Sequence, residues 1–261
     1  MISDLSATVS HIYLYPIKSL PRVKVDVAPI LPSGALKNDR RWALYGESDK
    51  VVHSKKHKNL HDIQLSFDND FHTWNLAWKN NQPVKFNYNE EVHEIENWFS
   101  EHLSLKVKLR ENLKEGFPDD LEANGPTFIS IESLQQVASW YDNLTFTETS
   151  KRFRSNIELK TNAPFWEDKL ANDSLPFFTV GETKWKGLKI CQRCAVPTRD
   201  TLIGLETEDF IAKFKSHRER MLPPWSEIKK FNHFYKLGIN TELIQLGSSN
   251  ALKAGDSLSL R

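Results

Sequence analysis

Both cysteines of this 261-residue chain fall in one short run, Lys189-Ile190-Cys191-Gln192-Arg193-Cys194-Ala195-Val196-Pro197-Thr198-Arg199-Asp200, with an arginine between the thiols. A thiol beside guanidinium groups sits in positive potential, which favours the thiolate, the form that attacks electrophiles and binds soft metals. Arg193 and Arg199 are the expected source of that potential. The preceding Gly187-Leu188-Lys189-Ile190 reads as a strand end, and Pro197 bars simple continuation of a ladder. The Cys-x-x-Cys spacing by itself leaves three readings open. A structural zinc site needs about four ligands, and no His-x3–5-His pair lies near Cys191 to complete one. A thioredoxin-like dithiol belongs at a helix N-terminus after a βαβ pattern, which Pro197 in a β-rich context fits poorly. Two ordinary buried thiols are the third reading, since free cysteine is among the most buried residue types, although the flanking arginines speak against a purely apolar pocket.

Cations recur where strands run into loops. Lys18-Ser19 follows Pro16, Arg40-Arg41 follows Asp39, Lys55-Lys56-His57-Lys58 follows His53-Ser54, and Arg152 and Arg154 bracket Phe153. Each alone reads as a solvated surface charge. Their recurrence with a hydroxyl or amide nearby points to an anionic ligand, because phosphate recognition calls for that mixture of guanidinium, ammonium and hydroxyl donors. No Walker loop or Gly-x-Gly-x-x-Gly follows a strand, which argues against a conventional nucleotide fold. No Ser-His-Asp arrangement is legible either.

The elements that must position these residues are mostly short strands. Thr8–Tyr15 ends at Pro16, Arg22–Val27 alternates with period two, and Asp39–Tyr45, Val51–Ser54 and Ile63–Phe67 continue the pattern. Thr73–Trp78 and Val84–Tyr88 read as a hairpin pair. Helical spacing covers Glu94–Leu103, then Ser130–Tyr141 with Ser130 or Ser133 as N-cap, and the polar, basic Phe210–Arg220 is expected to be helical too. Leu105–Leu109 and Phe153–Leu159 return to strand. Phe177–Trp185 reads as a hairpin turning at Gly181-Glu182, and the chain closes on a turn into a last strand. The acidic, glycine- and proline-bearing Glu111–Pro126 reads as a linker to a second domain. The expected fold is a β-rich α+β protein, sandwich or barrel, with domains over 1–115 and 116–261 and with N-terminal strands able to complete the second.

Composition sets the bounds. A hydrophobic content of 39% beside 26% charged residues is that of a globular protein, and no run approaches the ~20 apolar residues of a membrane span. Met1-Ile2-Ser3-Asp4-Leu5 lacks the basic and apolar regions of a secretory signal. A net charge of +1 argues against bulk nucleic-acid binding. Two cysteines exclude a disulfide framework and suit a reducing compartment, so the expected location is cytoplasmic.

Tyr15-Pro16-Ile17-Lys18-Ser19, Asp39-Arg40-Arg41-Trp42-Ala43-Leu44, Phe153-Arg154-Ser155-Asn156-Ile157, Cys191-Gln192-Arg193-Cys194 and Ala254-Gly255-Asp256-Ser257-Leu258 occur in this order. Together they resemble the MOSC proteins, named for the molybdenum cofactor sulfurase C-terminal domain, in the two-domain layout of the amidoxime-reducing components. The resemblance implies a MOSC N-terminal β-barrel domain followed by a MOSC β-barrel domain with peripheral helices. It implies a molybdenum–pterin cofactor whose protein ligand is Cys194, the catalytic and metal-binding residue. Lys18, Ser19 and Arg40 would lie near the cofactor phosphate and pterin, with Arg154 and Asn156 approaching from the other domain. Arg193, Asn124 of the Asn124-Gly125-Pro126 loop and Thr198 complete the implied cofactor set, and Asp200 matches a family position as well. The implied reaction is reduction of N-hydroxylated small molecules. The sequence carries no cysteine-rich segment of the ferredoxin type, so electrons are expected from a separate ferredoxin-like or flavoprotein donor. Three other readings stay open: a sulfur carrier using a Cys194 persulfide, a cofactor-binding protein without turnover, and a β-rich binding domain with structural thiols.

Overall fold

The computed structural model describes residues 6–54 and 56–261. The N-terminal reading of Met1–Leu5 and Lys55 of the Lys55–Lys58 cluster lie outside the described residues.

Fifteen strands are described: β1 (Ser6–Leu14), β2 (Val23–Val25), β3 (Val27–Pro29), β4 (Trp42–Gly46), β5 (Ile63–Phe67), β6 (Thr73–Trp78), β7 (Val84–Asn87), β8 (Val107–Glu111), β9 (Phe128–Ser130), β10 (Ile157–Lys160), β11 (Phe178–Val180), β12 (Thr183–Gln192), β13 (Lys236–Gln245), β14 (Ala251–Lys253) and β15 (Ser257–Leu260). Seven close a barrel in the order β10-β9-β13-β12-β11-β15-β1, with β1 pairing back onto β10. All its pairings are antiparallel except β9–β10, and closure leaves no unpaired edge around the ring. The first strand of the chain therefore completes a barrel otherwise built from residues 128–260. Its interior is lined by side chains such as Ile12, Phe128, Leu159, Val180, Trp185 and Ile239, all fully buried in one cluster.

The remaining N-terminal strands form smaller sheets, β4-β8, β5-β6-β7 and β3-β14. They share the barrel's hydrophobic cluster through an aromatic group: Trp42 meets Trp74 edge-on at 4.8 Å, and Trp74 stacks on Tyr88 at 5.0 Å. Burial of these large rings in the shared cluster stabilises the small sheets despite their short ladders. Val51–Ser54, expected as a strand, contributes a single bridge from Val51 to Tyr45.

Four α-helices are described: α1 (Val92–Leu103), α2 (Ile131–Ala138), α3 (Phe146–Phe153) and α4 (Phe210–Arg220). Ser130 caps α2, accepting from the Ser133 amide. Helix α3 occupies residues where no helix is evident from apolar spacing, because its buried face is built from Thr149, Ser150 and Arg152 besides Phe153. That correction shortens the expected strand Phe153–Leu159: Phe153 closes the helix, Arg154 turns the chain in the left-handed region, and the strand begins at Ile157. A second cluster, with Phe153, Phe210, Phe214 and Tyr235 at its centre, ties α2, α3 and α4 to the barrel's outer face.

Candidate functional site

Strand β12 delivers the cysteine run to the barrel's edge. Cys191 is its penultimate residue and Cys194 lies just beyond, before a 3₁₀ turn at Val196–Thr198. Cys191 is partly covered, whereas Cys194 is exposed, and its sulfur accepts one long contact from the Val196 amide, 3.5 Å. Arg193 does not reach that sulfur. Its guanidinium donates to Cys191 Sγ at 3.1 Å, to the Leu237 carbonyl at 3.4 Å and to the Phe153 carbonyl at the C-terminus of α3. Nor does Arg199, which ion-pairs with Glu206 at 3.1 Å and donates to the Ser54 carbonyl at 2.9 Å. The expected source of positive potential thus braces the loop instead: Arg193 is a clasp between the thiol run, the helix end and β13.

Cys194 opens into a cavity of about 560 Å³ whose walls bring together Lys18, Ser19, Arg40, Asn124, Arg154, Asn156, Arg193 and Cys194 from sequence positions up to 176 residues apart. Thr198 is not brought to it; the Thr198 hydroxyl donates to the Ala195 carbonyl at 2.8 Å and the residue is buried. Lys56 and Lys58 also stay away, exposed on the surface. Asp200 accepts from the Leu202 and Ile203 amides, at 2.8 and 3.0 Å, and pairs with Arg152 at 3.5 Å.

Tyr15 organises the cations. Its buried ring carries Arg154 at 4.2 Å and Arg40 at 5.1 Å, each guanidinium over the ring. The Tyr15 amide donates to Asp39 Oδ1 at 2.8 Å, and the Arg40 amide donates back to the Tyr15 carbonyl at 2.8 Å. Ser19, Arg40 and Arg154 all hold positive φ, +72°, +47° and +51°. Backbone of that kind costs free energy and persists only where the surroundings over-determine it. Three such residues, none of them glycine, facing one cavity mark it as a built site.

The described acidic groups are distributed unevenly among those cations. Lys18 Nζ lies 2.9 Å from Asp119 and donates to the Phe117 and Pro118 carbonyls, 3.0 and 2.8 Å. Arg40 pairs with Asp39 and reaches Asp119 at 3.6 Å. Burial works to raise the Asp119 carboxyl, but Arg40 and then Lys18 outweigh it and hold it well below the usual carboxylate range. Arg154 has no carboxylate in ion-pair contact among the described residues; it donates to the Leu20 carbonyl at 2.9 Å, and burial pulls its pKa below the ordinary arginine value. A guanidinium with no carboxylate in direct contact can receive an anion.

The amides divide. Asn156 is consumed by architecture: its oxygen accepts from the Thr127 amide and hydroxyl, 3.2 and 3.3 Å, and its Nδ2 donates to the Tyr13 carbonyl at 3.0 Å. Asn240, which lines the same cavity from β13, donates to Asp120 at 2.8 Å, but its buried Oδ1 has no partner among the described residues. Sequence reading passed over Asn240, Tyr15 as a ring, and Asp119. Only the long-range pairing of β13 with β12 and the return of the 112–119 loop over Arg40 make them neighbours. Gly116 is what lets that loop lie flat, at φ +68°, where a Cβ would stand 2.6 Å from the Asp39 carbonyl oxygen and 2.8 Å from that of Arg40.

These features define a class: a closed β-barrel protein with a cation-walled cavity and one exposed thiol at its floor. Residues 6–110 match the MOSC N-terminal beta barrel domain. The chain is 25% identical to mitochondrial amidoxime reducing component 2 of Bos taurus, over 95% of this chain and 82% of the relative. It is 24% identical to mitochondrial amidoxime-reducing component 1 of Homo sapiens, over 81% and 72%. It is also 24% identical to the molybdenum cofactor sulfurase of Caenorhabditis elegans, over 84% of this chain but 33% of that protein, so it spans about a third of the sulfurase's length. The YUAD protein from Bacillus subtilis aligns over 98% of this chain and 96% of its own at a TM-score of 0.43 and 8% identity. Residues 6–110 thus form a MOSC N-terminal beta barrel domain, and the chain has distant homology to these relatives over most of its length.

Proposed function

We propose that this chain binds a molybdenum–pterin cofactor in the Cys194 cavity and reduces N-hydroxylated small molecules with electrons from a separate ferredoxin-like or flavoprotein donor. The observation that carries the reading is the conjunction of an exposed thiol with a guanidinium that has no carboxylate in direct contact, Arg154, in one cavity. The side chains fit the group. Cys194 would be its metal ligand, a soft donor with an open approach. Arg154, Arg40 and Lys18 would take its phosphate, with Asn124 on the same cavity wall. The group supplies two-electron chemistry. This chain's own residues fix its position, neutralise its charge and leave the thiol side open to solvent for a substrate. The net reaction consumes two electrons and two protons per N–OH, giving N–H and water.

The division into 1–115 and 116–261 is likewise a proposal, supported by the small sheets before the linker and qualified by β1, which ladders with β10 and β15. The reading is tested by measuring molybdenum and pterin in the purified chain and N-hydroxy reduction with an artificial electron donor. A fully active metal-free preparation overturns it.

The exposure of Cys194 favours one second reading, a sulfur carrier with a Cys194 persulfide. It requires cyanolysable sulfur on Cys194 after incubation with a sulfur donor; free thiol alone in the mass spectrum rejects it.

A further inference from the structure

A second cavity of about 700 Å³ adjoins the first, and the two share Ser19, Ser54, Arg152, Arg154 and Val196 as common wall. Val196 is the residue whose amide contacts Cys194 Sγ, so the second cavity begins one side chain away from the thiol.

Its lining has two characters. Leu60, Ile63, Leu65 and Pro21 make an apolar side, and Leu202 and Ile203 stand at 66% exposure each on a loop held rigid by the Asp200 carboxylate. The lining also holds the cations Arg22, Lys79, Lys151, Arg152, Arg154 and Arg199 against the single carboxylate of Asp62. Most of these are already balanced. Arg22 faces Glu158 at 3.6 Å, Lys79 faces Asp62 at 3.9 Å, Arg152 has Glu148 at 2.8 Å, and Arg199 has Glu206. Lys151 and Arg154 have no carboxylate in ion-pair contact among the described residues. Lys151 is exposed near the end of α3, and Arg154 caps the same helix. Lys151 stands in the last turn of α3, where the helix carbonyls favour a cation, and its ammonium is left for an anion. A cavity lined by apolar side chains and an unbalanced cation suits an amphipathic acid.

We propose that this second cavity binds a small organic carboxylate with an apolar body, the acid toward Lys151 and the body along Leu60, Ile63 and Leu65. That such an acid is the substrate, an N-hydroxylated compound bearing a carboxylate, rests on the function proposed above.

The test is calorimetric titration of the purified full chain with 3-phenylpropanoate and with its neutral isostere 3-phenylpropanamide, with molybdenum measured on the same samples. The acid binds about tenfold tighter than the amide, the magnitude of a charge-assisted contact. Lys151→Gln lowers acid affinity about fivefold, as expected for an exposed charge pair, and leaves amide affinity and metal content unchanged. Ile203→Asp, on the exposed rim, weakens both ligands. Equal affinity for acid and amide, no binding of either, or indifference of the acid to Lys151→Gln overturns the inference. A chain that is fully active in N-hydroxy reduction without metal and keeps the acid preference retains this site and loses the molybdenum reading. A molybdenum-loaded chain without the preference retains the reductase reading and loses this site.

Discussion

The guanidinium of Arg193 lies 3.1 Å from the sulfur of Cys191 and has no contact with Cys194. The two thiols are therefore unequal, one held inside a brace and the other presented to the cavity. Cys194→Ser is expected to cut molybdenum per chain by at least about tenfold, since even indirect supports of a metal cost that much. Cys191→Ser keeps most of the metal. Elemental analysis of both variants beside the wild type decides this, and equal losses from the two would contradict the asymmetry.

Asp119 competes for Lys18 and Arg40. Asp119→Asn removes a like charge from the path of any anion, and pyrophosphate affinity should rise about fivefold, in keeping with a solvent-facing pair. Titration calorimetry at low salt reads the change. Unaltered or weaker binding would mean that the carboxylate helps to hold the cations in place.

Glu167 is fully buried, and its Oε2 accepts from Ser130 and Ser133 at 2.6 and 2.8 Å. Burial, then the neighbouring Asp168, raises its carboxyl to about 7. Between its ordinary value and about 7 the folded chain holds more protons than the unfolded chain, so stability falls as pH rises through that window. The loss is on the order of 3 kcal/mol. Glu167→Gln preserves acceptors for both hydroxyls and should flatten the dependence, as urea midpoints at pH 5 and pH 8 will show. An unchanged slope removes Glu167 as its cause.

Gly116→Ala forces a methyl against the Asp39 and Arg40 carbonyls at positive φ. The expected cost is about 2 kcal/mol, with looser packing of the loop that holds Lys18. Denaturant unfolding and pyrophosphate titration of the same variant check both. A loss of stability with wild-type anion affinity would separate the loop from the site.

Much of this was legible in the residues alone. Periodicity located β5, β6 and β7, and the ordered motifs named Lys18, Ser19, Arg40, Arg154 and Cys194, all of which share one cavity wall. Local patterning suffices there because each element buries its own apolar face and each cation follows a turn. β13 was invisible, although it is a central barrel strand, since Gly238 at φ +76° and three register shifts against β12 break its alternation. Which cations were spent on carboxylates and which were left over was also beyond the sequence. Arg193, Arg199 and Arg154 look alike in the chain, and only the fold gives the first a sulfur and two carbonyls, the second a glutamate, and the third an aromatic ring with an open face. Charge compensation is a matter of distances across elements far apart in the chain, so tertiary structure alone decides it.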